Sequence, residues 1–157
     1  MKSNVVFAVM TALLFVCLAP LNAQTDMIWD AYGLGFTLEK GMKITENDGE
    51  TFTAERNDLF LTIVPIKDRE ITEDDLSDAV VTMAGEMDYD SLTDADELEL
   101  NDLFGYYVEG TKDGAHAVVI ALMDVESANN YLAVIVFTPE VRNKAIQLAR
   151  SFYAYDE

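Results

Sequence analysis

The sequence predicts an α+β domain: an antiparallel sheet of about six strands with helices packed on both faces, in the order β-β-β-α-β-β-β-α. Three observations carry that expectation. Short segments that alternate apolar and polar residues, separated by turn-forming residues, occupy the first part of the chain after residue 24. Two segments with apolar residues at spacings of three and four begin at Thr72 and Thr138. Two later runs, Ala115 to Met123 and Tyr131 to Phe137, are apolar at nearly every position. Alternation marks a half-buried strand, whereas an unbroken apolar run marks a central strand with both faces covered, so helices or a long arm lie on each side of the sheet.

Gln24 to Gly35 reads as an arm leading into the first strand. Phe36-Thr37-Leu38-Glu39-Lys40 alternates, and Met42, Ile44 and then Phe52, Ala54 continue the alternation on two strands. Asn47-Asp48-Gly49 between them is a hairpin turn, since these residues tolerate positive φ. Arg56-Asn57-Asp58 marks the next turn, and Leu59 to Ile66 is a strand. Pro65 has no N–H to give to a ladder and belongs at that strand's end or on an edge. Thr72-Glu73-Asp74-Asp75 opens a helix, with a capping Thr and three acids at the positive pole of the helix dipole. Its stripe is Leu76, Ala79, Val80, Met83, Ala84 and Met87, and it ends near Gly85 to Asp88.

Three strands follow. The first, Glu97 to Val108, holds Leu98, Leu100, Leu103, Phe104, Tyr106 and Tyr107; Lys112-Asp113-Gly114 turns it into the apolar run at Ala115. Ser127-Ala128-Asn129-Asn130 joins the two apolar runs. Thr138-Pro139-Glu140 starts the last helix with a cap, Pro in the first turn and an acid, and its stripe is Val141, Ala145, Leu148, Ala149 and Phe152.

Residues 1–23 read as a signal peptide and residues 24–157 as a single α+β domain. Lys2 supplies a positive end, Val5 to Leu18 is an apolar run broken only by Thr11, and Pro20-Leu21-Asn22-Ala23 ends on a small residue. The run is shorter than the roughly 20 apolar residues of a membrane span, so no stable membrane insertion is expected once the signal is removed. Cys17 follows Phe15 and Val16 and makes a poor lipid-attachment site. Cleavage after Ala23 leaves a mature chain without cysteine, which excludes disulfides, thiol catalysis and Cys-based zinc sites. The expected location is periplasmic or extracellular.

That mature chain carries 9 Lys and Arg against 29 Asp and Glu, a net charge near -20. Such a surface repels nucleic acid, whose phosphates need a basic footprint, and anionic membranes for the same reason. A protein or a small ligand remains the expected partner.

Catalytic chemistry lacks its parts. His116 is the only histidine; alternation puts it on the face of Val118 and Ile120, at a strand's start. Ser77, Ser91, Ser127 and Ser151 stand in helix or turn contexts, with no Gly-x-Ser-x-Gly elbow. Gly33-Leu34-Gly35 lacks the third Gly and the following helix of a phosphate loop. The densest acidic stretch, Asp88 to Glu99, places Asp88, Asp90, Asp94 and Glu99 at positions one, three, seven and twelve of a calcium loop, but Leu92 takes a ligand position and Thr93 replaces the required Gly. No catalytic, cofactor-binding or metal residue is assigned, and no cofactor is expected.

The stretch Gly35-Phe36-Thr37-Leu38-Glu39-Lys40-Gly41-Met42-Lys43 resembles the opening of the Mog1/PsbP-like α/β/α sandwich family, with Met42 where relatives carry Trp. Leu103-Phe104-Gly105-Tyr106-Tyr107 is similar to that family's strand with a Gly before an aromatic residue. Phe137-Thr138-Pro139-Glu140 and Ser151-Phe152 resemble its final strand and helix. The resemblance implies the fold, in a family of accessory subunits, small-GTPase partners and exported proteins. Two function classes follow. One is an exported, non-catalytic binding or accessory module that uses a sheet face or groove near the Tyr106/Tyr107 strand. The alternative is a small carboxylate-based metal-binding protein or metal-dependent enzyme built on residues 88–99. The missing nucleophile and ligand sets favour the first.

Overall fold

The two unbroken apolar runs lie where their composition requires, at the centre of a large antiparallel sheet. In the computed structural model, which describes residues 24–67, 71–127 and 129–155, Ala115–Asp124 (β9) and Asn130–Phe137 (β10) pair along their length, Asn130 with Met123 through Phe137 with His116. The signal-peptide reading of residues 1–23 lies outside the described residues. On one side of the pair come Leu59–Ile66 (β5), Phe52–Arg56 (β4) and Lys43–Asn47 (β3); on the other comes Leu103–Lys112 (β8), whose outer edge carries Ser91–Leu92 (β6) and Asp96–Leu100 (β7). Pro65 pairs with Tyr131 on β10, beyond the last pair of β4 and β5, Phe52 with Ile63. Its missing N–H therefore costs no ladder bond.

A second, three-stranded sheet corrects the expectation of about six strands in one sheet. Thr25–Trp29 (β1), read from sequence as an arm, forms a hairpin with Leu34–Leu38 (β2), and β2 also pairs with Tyr153–Ala154 (β11). The segment from Glu97 to Val108 is likewise two strands, turned at Asn101-Asp102 with Asn101 at φ 50°. Among the described residues the order is therefore five strands, a helix, five strands, a helix and a last short strand.

Each face of the large sheet has its own cover. Glu73–Glu86 (α1) lays Leu76, Val80 and Ala84 against Val108, Val119, Ala121, Leu132 and Val134. Its first turn forms a capping box: the Thr72 hydroxyl accepts the Asp75 N–H, and the Asp75 carboxylate accepts the Thr72 N–H at 2.7 Å. The opposite face carries the small sheet and Arg142–Arg150 (α2). There Trp29, Leu34, Phe36 and Leu38 meet Phe52, Leu61, Ile63, Ile120, Tyr131, Ile135, Leu148 and Phe152. Phe36 packs edge-on to Phe52, with ring centroids 4.8 Å apart.

Several expected signals act by a different physical route. The Asn47-Asp48-Gly49 turn needs no positive φ; the Asp48 carboxylate holds it by accepting the N–H groups of Glu50 and Thr51 at 2.7 and 2.9 Å. Those bonds keep the Asp48 carboxyl below the usual carboxylate range. The same turn anchors the small sheet, because the Trp29 indole donates to the Asp48 carbonyl at 2.7 Å and the Tyr32 hydroxyl to that of Gly49 at 2.8 Å. Thr138 makes no side-chain cap; Pro139–Val141 is a 3₁₀ turn leading into α2. Of the central-strand residues, Val119, Ala121 and Val134 are buried, but Val136 is only half-buried. The reason is the position of α1, which packs on β8 and β9.

Candidate functional site

Alternation along β8 sends consecutive aromatic residues to opposite faces of the sheet. Tyr106 packs with Phe104 on the α1 side, their ring centroids 5.5 Å apart. Tyr107 lies on the other side, against the core beneath α2. There a groove of about 180 Å³ opens between α2 and strands β7–β9. Tyr107, Val118 and Ile120 make its floor, Leu98 one end, and Ile146 and Ala149 the helix wall. Ile146, 36% exposed, is an apolar side chain left open at the rim.

The lip is charged. Arg142 Nη2 donates to both oxygens of Glu109, at 3.1 and 2.9 Å, and Arg150 stands at the groove's end. One guanidinium nitrogen thus meets both carboxylate oxygens and places opposite charges side by side at the lip. Burial pushes the Tyr107 hydroxyl above its usual range, and the carboxylates of Asp96 and Glu109 add to the effect while Arg142 opposes it. The hydroxyl therefore stays protonated and able to donate. An apolar floor with a few oriented polar groups at its edge is the ordinary make-up of a binding site. A larger open volume, about 600 Å³, lies at Gly41, Lys43, Glu55, Arg56 and Asn57, but it is polar. Arg56 is committed there to Asp58 and to the Lys40 carbonyl.

The residues weighed for catalysis are not brought together. His116 is half-buried on β9 and stacks on Phe137, with ring centroids 5.7 Å apart and planes inclined by 22°. Its ring lies on the face of Val118 and Ile120, as alternation predicts. Ser91 pairs its hydroxyl with Thr111 at 2.6 Å, Ser127 donates to Asp124 at 2.7 Å, and Ser151 donates to the Leu148 carbonyl at 2.7 Å. These are structural bonds. The acids of residues 88–99 are spread along the edge of β8, because β6 and β7 both pair with that strand. Asp90 accepts the Asp113 N–H at 3.1 Å and Asp88 meets Lys112 at 3.4 Å. Among the described residues no three Asp, Glu, His or Cys side chains converge on a point where they could hold a metal ion. The α2 groove escaped sequence reading except through Tyr107, since its wall and floor come from residues 98 to 150 and meet only in the fold.

No protein-family model matches the sequence, and no curated protein matches it either. Solved structures do. The cyanobacterial PsbP of Synechocystis is similar at 14% identity and a TM-score of 0.64, covering 87% of this chain and 95% of that one. The Ran-binding protein Mog1p of Saccharomyces cerevisiae is similar at 8% identity and a TM-score of 0.54, over 85% of this chain and 96% of that one. A Bacteroides thetaiotaomicron structure is similar over 87% of this chain and 50% of its own, at 11% identity and a TM-score of 0.52. The fold is Mog1/PsbP-like.

Proposed function

We propose that this chain is an exported, non-catalytic binding or accessory module, and that its partner enters the groove between α2 and β7–β9. One observation carries the reading: half-buried Tyr107 and Val118, lying over buried Ile120, line a groove beside a helix whose Ile146 side chain faces solvent. A groove of this size takes one or two side chains of a protein, or a small molecule. The ion pair of Arg142 Nη2 with Glu109 gives it a polar edge. The Ran-binding protein Mog1p, similar in fold, supports a binding role for a domain of this shape. The charge pattern of residues 1–23 supports export to the periplasm or beyond. No observation favours the carboxylate-metal alternative.

Site-specific photo-crosslinking in the native host tests the reading. A photoreactive amino acid at Ile146 is expected to yield one discrete adduct in the extracytoplasmic fraction. The same group at Val125, an exposed position on the β9–β10 connection, is expected to yield none. Ala149→Arg, which fills the groove, should abolish the adduct without lowering the melting temperature. Equal labelling at both positions, or none at Ile146, would sink the assignment of the groove. Mass analysis of the same material should find a mature chain starting at Gln24; an intact Met1 on cytosolic protein would sink the export reading.

A further inference from the structure

We propose that the open side of the α1 face is a second docking surface, and that it receives a cationic segment of a partner protein that also carries apolar side chains. This surface lies on the opposite face of the sheet from the α2 groove and stands independently of it. The large sheet runs from β3 to β6, but α1 packs on β8 and β9. Beyond the helix, Val64, Pro65 and Ile66 of β5 stay half-buried, as do Phe60 and Val136 further along. Between that strip and the side of α1 runs a groove of about 520 Å³, with Leu132 in its floor and Ala79 and Met83 on its helix wall.

Charge selects the occupant. Asp75, Asp78 and Glu86 project from α1 along the groove. Residues 71–111 contain no Lys or Arg, so nothing on the helix or on β6–β8 up to Thr111 neutralises that wall. Lys67 stands at the far end, and Glu50 already pairs with it at 2.7 Å. A metal ion or a polyamine would satisfy the acids and leave the apolar floor uncovered. A neutral apolar segment would cover the floor and leave the acids unused, and an anionic one would be repelled. A segment with Lys or Arg beside apolar side chains satisfies both walls, and the acidic field raises its encounter rate. The 14 residues of α1 give the groove a length of about 21 Å, enough for about four helical turns of a partner or six extended residues.

The probe is a fluorescein-labelled 14-residue peptide of leucine and lysine at helical spacing, titrated with the purified chain of residues 24–157. Two comparison peptides replace every leucine by serine or every lysine by glutamate. The leucine–lysine peptide is expected to bind at micromolar concentration, and both comparison peptides at least tenfold more weakly. Thr82→Trp, which fills the groove from an exposed helix position, and the pair Asp78→Lys with Glu86→Lys should each weaken binding about tenfold or more. Asp75 is left intact because it caps α1. The pair Asp94→Lys with Asp102→Lys makes the same charge change away from the groove and should leave affinity within about twofold. Circular-dichroism melts of each variant show that the fold is retained. The proposal is overturned if the leucine–lysine peptide does not bind at millimolar concentration, or if the serine–lysine peptide binds as well. It is equally overturned if Thr82→Trp binds normally or if both charge pairs weaken binding alike, since diffuse attraction to an acidic surface would then be the whole effect.

Discussion

Gly105 shows how one missing side chain fixes the approach of two strands. A Cβ at this position would lie 2.0 Å from the carbonyl oxygen of Ala121 and 3.1 Å from the Leu122 Cα. Both are backbone atoms of the neighbouring strand, so no side chain can swing away to make room. Gly105→Ala should therefore cost about 3 kcal/mol, read as a lower urea midpoint at unchanged slope. Gly85 offers the opposite case, because it sits in α1 with nothing within 4 Å of its Cβ direction. Gly85→Ala should stabilise the protein by about 0.5–1 kcal/mol. If the two substitutions shift the midpoint equally, the close packing at Gly105 is wrong. At the start of the same helix, the Thr72 N–H and then the Thr72 hydroxyl hold the Asp75 carboxyl below its usual range. A carboxyl lowered in the folded state adds stability that is fully present above about pH 4 and is lost as pH falls through the folded-state value. Thr72→Ala should cost about 1 kcal/mol at neutral pH. The deficit should shrink as the pH is lowered below about 4, where the bond from the Thr72 hydroxyl to the Asp75 carboxylate is lost in the wild type too. A remainder from the lost cap on the Asp75 N–H should persist; a deficit of constant size would exclude the Asp75 link.

Among the elements, β10, like β9, is paired on both edges and contributes side chains to the cores on both faces of the sheet. Val134 is 5% exposed, set between Thr62 and Val119. Val134→Asp would bury a carboxylate with no partner and should unfold much of the population, seen as lost near-ultraviolet circular dichroism. An unchanged melting temperature would contradict the position of β10. This strand was legible from composition alone, because an apolar residue at every position has no other use in an antiparallel sheet. So was α1, whose stripe and capping residues agree with each other. β1 was not legible: in Thr25-Asp26-Met27-Ile28-Trp29 the exposure falls steadily along the strand and does not alternate. Its partner offered a clue of another kind. A Cβ at Gly35 would fall 2.1 Å from the ring of Tyr153, so a glycine that fits no phosphate loop serves as the seat of an aromatic ring from β11. The α2 groove was equally hidden, because its Tyr107 floor and Ile146 rim are neighbours only after α2 has docked.

On the whole molecule, charge is uneven as well as large. The acids at positions 73–102 are exposed without exception, on α1, on β7 and on the connections before and after β7. Repulsion among them is screened within about 10 Å at 0.1 M salt, so stability should rise as sodium chloride goes from very low to moderate concentration. Calcium at matched ionic strength should add nothing further, because the carboxylates of residues 88–99 lie along an extended edge. A calcium-specific rise in melting temperature that vanishes in Asp90→Asn with Asp94→Asn would reverse that expectation. The small sheet has a different consequence, one of timing. It joins β1 and β2 to β11, and the Tyr155 N–H closes it on the Gly33 carbonyl at 2.7 Å. A chain delivered from its N-terminus thus cannot complete the layer over Phe36 and Phe52 until residue 155 has emerged. Contacts this far apart in sequence form late. Chains truncated after Ser151 should stay open to protease, whereas chains reaching Tyr155 should resist it. The layer over Phe36 and Phe52 is thereby kept waiting for a strand more than a hundred residues further along, so the first third of the chain cannot close its own core while it is being made.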